Sequence, residues 1–353
     1  MGGWPTRKVR FMRAMILDAL GPMAQNPSPL RMATLPDPAP GPGEVLLRVA
    51  ACGVCHTELD EIEGRTPPPT LPVVLGHQVV GRVEGLGSGV TRHRVGDRVG
   101  VAWIFSACGE CPHCQAGDDN LCPGFRATGR DADGGYAELM TAPEAYAFPI
   151  PPVFSDAEAA PLLCAGAIGY RSLRLASIRD GQPLGLTGFG ASGHLVLKMV
   201  RHRFPKTEVF VFARSDQERA FALELGAAWA GDTTDRAPMG LDAIIDTTPV
   251  WTPIVEGLRN LAPGGRLVVN AIRKEDHDKE VLLTLDYARE LWMEREIKSV
   301  ANVAQRDVSE FLELAAEIPL LPEIQEYPLA DANVALQEMK NRKIRGAKVL
   351  RVG

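Results

Sequence analysis

The sequence has no surplus of basic residues and no long apolar run, and each absence argues against a class of protein. Its 353 residues hold 38 Lys and Arg against 44 Asp and Glu, a net charge of −6. It therefore lacks the electrostatic footprint of a nucleic-acid-binding protein. No apolar run approaches about 18 residues, which argues against a transmembrane helix. The basic start, MGGWPTRKVRFMRAMILDALG, is interrupted by Asp18 and lacks a small-residue cleavage site, so we expect no signal peptide and a cytoplasmic location.

Cysteine is sparse over most of the chain and clustered in one short part of it. The seven positions are Cys52, Cys55, Cys108, Cys111, Cys114, Cys122 and Cys164. The number is odd, and a disulfide scaffold does not suit a long chain that is expected in the cytoplasm. The clustering favours metal binding.

The length predicts two domains, and the residue pattern changes along the chain. Residues 12–165 are rich in Gly, Pro and Val, with strand-like segments such as EVLLRVAACGV between proline-rich loops, which predicts a mostly-β domain. Residues 166–300 alternate apolar strands such as EVFVFAR and LDAIIDTT with helical segments, which predicts a doubly wound α/β sheet. Residues 301–353 return to the mixed pattern, so we expect the second domain to be inserted into the first.

Four of the cysteines form the motif Cys108-x2-Cys111-x2-Cys114-x7-Cys122. These short intervals, in a lobe of about residues 105–125, are typical of a closed tetrahedral zinc site. An iron–sulfur cluster is the alternative, because ferredoxins also use x2 spacings and Pro123 follows the last cysteine. Ferredoxins, however, place that cysteine after three residues and need a second set. The spacing therefore favours a structural zinc.

A glycine motif, Gly188-x-Gly190-x-x-Gly193, follows a predicted strand and opens a predicted helix. In that context it indicates dinucleotide binding, since the glycines let the backbone approach the pyrophosphate at the helix N-terminus. The alternative, an ordinary glycine-rich turn, is disfavoured by the strand–helix alternation around it.

The end of the next strand bears on which dinucleotide is used. An NAD-type site has Asp or Glu there to bind the ribose hydroxyls, but EVFVFA ends at Ala213 and is followed by Arg214 and Ser215. The first carboxylate, Asp216, opens the next helix, where a first-turn acid is common. Arg214 and Ser215 suit a 2′-phosphate, which favours NADP(H). Alternatively, Arg214 packs on the adenine of NAD(H).

Three further segments carry a family resemblance: CGVCHTE at 52–58, GHQ-x2-G-x5-G-x2-V at 76–90 and PLLCAG at 161–166. With the four-cysteine motif between them, they resemble the zinc-containing alcohol dehydrogenases of the medium-chain dehydrogenase/reductase superfamily. The resemblance runs from about Met12 to the last residue. It implies a GroES-like catalytic domain and a Rossmann cofactor domain.

The resemblance also implies two zinc ions per subunit. Cys55, His77 and Cys164 correspond to the ligands of a catalytic zinc, whose fourth position stays open. The four-cysteine set corresponds to the structural site. Cys52 matches no ligand position and is expected in the core.

Residues near Cys55 acquire roles by the same resemblance. Thr57 corresponds to the hydroxyl that takes the substrate proton, and His56 to a residue that contacts the cofactor pyrophosphate or joins the proton path. Trp103 falls where the family lines its substrate pocket.

Three positions depart from the family pattern. Glu58 replaces Asp as the expected partner of His77, Gln78 replaces a Glu beside the zinc, and Asp60 stands where many relatives have a relay His. None of these changes removes a metal ligand.

The implied activity is reversible oxidation of an alcohol to an aldehyde or ketone, with hydride transfer to NAD(P)+. A small-molecule substrate is expected, in a homodimer or homotetramer whose Rossmann sheets pair, with RLVVNAI as the strand that extends the sheet. One alternative is a cinnamyl-type aldehyde reductase of the same superfamily. The other is a non-catalytic zinc and dinucleotide sensor, which would not need an open metal position.

Overall fold

The computed structural model describes residues 10–318, 320–341 and 346–353. Two compact units are present: one holds the described residues up to Cys164 together with those from Leu321 onward, and the other holds Ala165–Leu320.

The strands are β1 (Phe11–Leu17), β2 (Leu30–Pro36), β3 (Glu44–Val54), β4 (Val73–Val74), β5 (Val79–Leu86), β6 (Arg98–Val101), β7 (Ile104–Ser106), β8 (Arg126–Ala127), β9 (Leu139–Pro143), β10 (Ala147–Pro149), β11 (Leu184–Thr187), β12 (Val209–Phe212), β13 (Trp229–Gly231), β14 (Leu241–Asp246), β15 (Leu261–Val269), β16 (Glu296–Ser299), β17 (Ile324–Pro328) and β18 (Ala347–Arg351). The α-helices are α1 (His56–Ile62), α2 (Pro112–Gln115), α3 (Asp156–Pro161), α4 (Ala167–Ala176), α5 (Ala191–Arg203), α6 (Asp216–Glu224), α7 (Thr252–Leu258), α8 (Gln305–Glu317) and α9 (Ala332–Lys340).

The first unit is built on a mostly antiparallel sheet in the order β10-β6-β5-β3-β18-β17, with β9 also paired to β3. A smaller sheet, β2-β1-β4, and the β7–β8 pair complete it. Strand β3 places alternate residues such as Val45, Leu47 and Val49 in the core, as expected for a half-buried strand. The C-terminal strand β18 pairs with β3, so the last part of the chain returns to this unit.

The second unit is a six-stranded parallel sheet in the order β13-β12-β11-β14-β15-β16. This is the Rossmann order, 3-2-1-4-5-6 in the unit's own strands. Strands β11 and β12 are buried at every residue, as parallel strands covered on both faces should be. The doubly wound sheet expected from the sequence is confirmed.

The strand expected to extend this sheet across a two-fold axis is not available for that role. RLVV belongs to β15, which pairs with β14 on one side and β16 on the other. The edge strand is β16, and its four residues are exposed. The expectation for RLVVNAI was therefore wrong.

The second boundary between the units lies at Leu320, rather than at residue 300. Helix α8 accounts for the difference, because its apolar face packs on α4. Phe311 and Tyr170 have ring centroids 6.2 Å apart, and Asp307 accepts a hydrogen bond from Arg171 at 2.6 Å.

No helix among the described residues has the length and apolar character needed to cross a bilayer.

Candidate metal and dinucleotide sites

Three short connections between strands and helices bring Cys55, His77 and Cys164 together. Cys55 follows β3 and is the N-cap residue of α1. His77 lies in the link between β4 and β5. Cys164 lies in a π-helical turn, Leu162–Gly166, between α3 and α4. Such turns are rare in proteins, and those that occur are often at functional sites. This one sets the direction of the Cys164 side chain.

Gly76 fixes the path of the chain into His77. Its φ is +100°, and a Cβ there would lie 2.4 Å from Tyr136 Cδ1 and 2.8 Å from Cys52 Sγ. Only glycine fits, because both the backbone conformation and the space exclude a side chain. Cys52 itself is buried, as expected for a core residue.

The three ligand atoms have the spacing of a zinc site. Cys55 Sγ is 3.8 Å from Cys164 Sγ, and His77 Nε2 is 3.4 Å from Cys164 Sγ. A tetrahedral ion with zinc–sulfur bonds of about 2.3 Å places two sulfurs about 3.8 Å apart. The pKa of the Cys55 thiol is lowered well below its usual value, first by its hydrogen bond with Cys164 and then by His77. A thiolate is the form that binds metal, so the residues present fit zinc.

Glu58 orients both His77 and Cys55. Its Oε1 lies 2.6 Å from His77 Nδ1, and its Oε2 accepts a hydrogen bond from the Cys55 backbone N–H at 2.7 Å. Although burial lowers it, the pKa of His77 is raised well above its usual value by Glu58 and Cys55. A proton held on Nδ1 leaves Nε2, on the side of Cys164, as the metal-binding nitrogen.

The other residues expected near Cys55 lie on α1 in different surroundings. Thr57 Oγ1 is 3.6 Å from Cys55 Sγ, beside the ligand group. His56 is exposed at the first residue of the helix. Asp60 is buried and pairs with Arg65 at 2.5 Å.

An aromatic group stands next to His77. The Trp103 ring is edge-on to the imidazole, with centroids 6.5 Å apart, and Phe125 packs against Trp103 at 5.6 Å. The Arg130 guanidinium lies over the Trp103 ring, 5.6 Å from its centroid. Sequence reasoning named Trp103 but missed Phe125 and Arg130, since nothing in their spacing connects them to His77.

Glu61 was also missed. It is fully buried, three residues after Glu58 on the same short helix. Burial, and then the charge of Glu58, raises its pKa well above the usual value, while the Trp103 indole lowers it in part. The signal available in the sequence was the i, i+3 pair of acids, which places both side chains on one helix face.

The four-cysteine motif forms a second group. The ligand sulfurs of Cys108, Cys111, Cys114 and Cys122 lie within 4.8 Å of one another. Backbone N–H groups of Cys108 and Gly124 each donate to Cys122 Sγ at 3.3 Å. The pKa of the Cys108 thiol is lowered to about 6, first by the backbone N–H of Glu110 and then by that of Cys111. Four sulfurs held by one loop fit a closed zinc site.

The glycine motif has the geometry that a pyrophosphate needs. It follows β11 and opens α5. Gly188 has φ +79°, and a Cβ on Gly193 would lie 2.7 Å from Gly188 O. Nothing lies within 4 Å of a Cβ built on Gly190, so the helix N-terminus is open to an anion.

The end of β12 presents cations rather than an acceptor for ribose hydroxyls. Arg214 is exposed, and Ser215 caps α6 by accepting a hydrogen bond from the Glu218 N–H at 3.4 Å. Arg219, which sequence reasoning missed, donates to Ala213 O at 2.5 Å and pairs with Asp216.

Comparison with known proteins identifies the family. The model described as the alcohol dehydrogenase GroES-like domain matches residues 41–152. The chain is 42% identical over 335 residues to "Probable alcohol dehydrogenase AdhA" of Mycobacterium tuberculosis, covering 94% of each chain. This chain belongs to the zinc-dependent alcohol dehydrogenase family.

Solved structures of family members superpose over almost the whole chain. A crystal structure of an NAD-dependent alcohol dehydrogenase is 27% identical with a TM-score of 0.84, covering 97% of this chain and all of that one. A cinnamyl alcohol dehydrogenase from Sorghum bicolor is 25% identical with a TM-score of 0.80, covering 97% and 98%. The two-domain architecture implied by the sequence resemblance is confirmed.

Within this family member, Gln78 is a buried neutral residue next to His77 in the chain. It lies packed against the backbone of β3, since a Cβ on Gly53 would be 2.7 Å from Gln78 Oε1. The residue that departs from the family pattern is thus held in a close-fitting site.

Proposed function

We propose that this alcohol dehydrogenase family member reversibly oxidises an alcohol to an aldehyde or ketone, with hydride transfer to a nicotinamide dinucleotide. The observation that carries the proposal is the Cys55, His77 and Cys164 group, three ligands at zinc spacing with the Thr57 hydroxyl 3.6 Å from Cys55 Sγ. A zinc ion held by this group would polarise the substrate oxygen and lower the pKa of an alcohol hydroxyl.

The chain's own residues hold the ligands and move the proton. Glu58 fixes the tautomer of His77, so that Nε2 serves the metal. Thr57 accepts the substrate proton through its hydroxyl oxygen. His56 is the group best placed to pass that proton to solvent, because it is exposed whereas Asp60 is buried and paired with Arg65.

We assign the second zinc to the four-cysteine lobe. Four thiolates leave no position for substrate, so this ion would contribute to folding rather than to the reaction.

For the cofactor we propose NADP(H), with NAD(H) as the alternative. The exposed Arg214 and the cap residue Ser215 follow β12 where an NAD-type site has an acid. Arg214→Ala should weaken NADPH binding far more than NADH binding, and Lys198→Ala, in the middle of α5, is the control. A wild-type preference for NAD+ that Arg214→Ala leaves unchanged would overturn the assignment.

We also propose a homo-oligomer, a dimer or tetramer, that pairs through the exposed edge strand β16. The strand and the segment before it expose apolar side chains, namely Leu283, Tyr287, Trp292, Met293 and Ile297. An uncovered edge with apolar neighbours is a template for pairing with a second chain. Sedimentation should show no monomer. A cytoplasmic location and the lack of nucleic-acid or membrane partners stay predictions.

The activity is tested by following the reduced nicotinamide with a panel of alcohols and aldehydes, with and without a chelator. His77→Ala and Cys164→Ser should abolish turnover while cofactor binding persists, and Cys52→Ala, a cysteine outside both ligand groups, should retain turnover. Aldehyde reduction that far exceeds every alcohol oxidation would assign the cinnamyl-type reductase. Cofactor and metal binding without any turnover would favour the sensor.

A further inference from the structure

A buried ion pair lies where the Rossmann unit is expected to bind its dinucleotide. Asp246 ends β14 and is paired in register with Thr187, which ends β11 directly before Gly188. These two strands flank the point where the strand order reverses, and ligands of doubly wound sheets bind outside the carboxyl ends there. Lys274, from the segment after β15, forms an ion pair with Asp246, and both side chains are buried.

Asp246 joins the ends of two strands. Its Oδ1 accepts hydrogen bonds from Thr187 Oγ1 at 2.5 Å and from Thr248 Oγ1 at 2.8 Å, and its Oδ2 pairs with Lys274. One carboxylate therefore connects β11, the segment after β14 and the segment after β15.

Lys274 has no hydrogen-bonding capacity left for a ligand. Its Nζ also donates to Thr248 O at 2.7 Å and to Val250 O at 3.1 Å. An ammonium group has three donors, and these acceptors use all of them. The lysine therefore holds segment 247–250 in place rather than binding a cofactor phosphate.

Segment 247–250 packs directly on the first glycine of the dinucleotide motif. Thr247 Oγ1 donates to Thr187 O at 3.0 Å, and a Cβ on Gly188 would lie 2.8 Å from Thr247 Oγ1. A shift of this segment would therefore move one wall of the turn that approaches the pyrophosphate.

We propose that Asp246 and Lys274 are positioning residues for the dinucleotide, which hold segment 247–250 against the glycine turn; this rests on the cofactor use assigned above. Stability alone is a weak reason for such a pair, because well-packed apolar residues of similar volume are often as stable as a buried ion pair or more so. The pair instead fixes the relative positions of three segments, namely the end of β11, segment 247–250 and the segment after β15.

The test replaces the charges together, since Lys274→Met alone leaves a buried carboxylate without its cation. The double variant Asp246→Asn/Lys274→Met should fold, yet bind NADPH and NADH roughly tenfold more weakly, a size that mutations outside ligand contact reach. Binding is read from the fluorescence of the reduced nicotinamide, without turnover. At saturating cofactor, kcat should stay near that of the wild type while the KM for cofactor rises.

A matched control is Glu338→Gln/Lys348→Met in the other unit, where Lys348 is also buried and its Nζ lies 2.6 Å from Glu338 Oε2. This variant should bind cofactor as the wild type does. If the first double variant fails to fold, Lys274→Arg carries the test. Its planar guanidinium cannot replace a point charge among three acceptors, so it too should weaken binding.

The outcomes separate this inference from the proposed function. Wild-type affinity in Asp246→Asn/Lys274→Met, or in Lys274→Arg where that variant carries the test, would overturn the positioning role alone. Equal losses in the test and control variants would also overturn it, because the effect would then be one of general stability. A wild-type protein that binds neither NADPH nor NADH would overturn the proposed function and this inference with it.

Discussion

Glu58 offers the sharpest test of the proposed metal site at Cys55, His77 and Cys164, the three-ligand group. The carboxylate uses two separate oxygens: one lies 2.6 Å from His77 Nδ1 as an ion-pair contact, and the other accepts the Cys55 N–H at 2.7 Å. Glu58→Ala removes both contacts. Loss of such an outer partner typically lowers metal affinity about 10- to 100-fold, or about 1.4–2.7 kcal/mol. Glu58→Gln should fall between alanine and the wild type, because an amide has one oxygen and satisfies one of the two donors.

The assay is zinc release to a competing chelator, followed until both groups are empty. The four-cysteine lobe is an internal control, and its release should be the same in every variant. Glu58→Asp, the residue usual in the family, keeps both oxygens and should bind more tightly than Glu58→Gln. Wild-type zinc affinity at the three-ligand group of Glu58→Ala would refute the reasoning, because His77 would then be oriented by other contacts.

Three other substitutions have defined outcomes. Cys111→Ser should lower the unfolding temperature and leave one zinc bound at the other group; undiminished stability would contradict a structural role. In Gly76→Ala the new Cβ would lie 2.4 Å from Tyr136 Cδ1 with φ at +100°, so the free energy of unfolding in urea should fall by about 1–3 kcal/mol or more. Glu63→Gln should cost about 1–2 kcal/mol after allowance for solvent screening, because Lys340 and Arg65 outweigh burial and lower the Glu63 pKa to about 2. That carboxylate stabilises the fold above its unfolded pKa, so the difference from the wild type should be full at neutral pH and shrink as the pH falls below about 4.5. A difference that does not change with pH would contradict this assignment.

The parts of the fold that could be predicted are those with local signals. Short apolar strands that alternate along the chain with helices indicated the parallel sheet. A strand buried on both faces is a continuous apolar run, which can be recognised in the sequence. The boundary after 300 was not predictable in the same way. The apolar stripe of α8, with Val308, Phe311 and Leu312 buried, shows that the helix packs on something, but not which of two cores it joins.

The candidate sites were predictable from the sequence where their residues are close together in the chain. Four cysteines within one loop and three glycines within one turn are local, so their spacing sufficed. Cys55 and Cys164 are 109 residues apart, and only the family resemblance connected them before the fold was known. The pair of Asp246 with Lys274 had no such help, since each residue alone is an ordinary charge at the end of a strand or in a loop.

The acids around the three-ligand group give a physical reason for Gln78. Glu58 and Glu61 are both fully buried on one face of α1, and each added anion in a buried cluster raises the pKa of its neighbours. Burial, followed by the charge of Glu58, already raises the pKa of Glu61 well above its usual value. A glutamate at 78, next to His77 in the chain and packed against Gly53, would add a third buried carboxyl group. The amide avoids that charge, so the departure at 78 and the acid at 61 are understood together as one electrostatic arrangement.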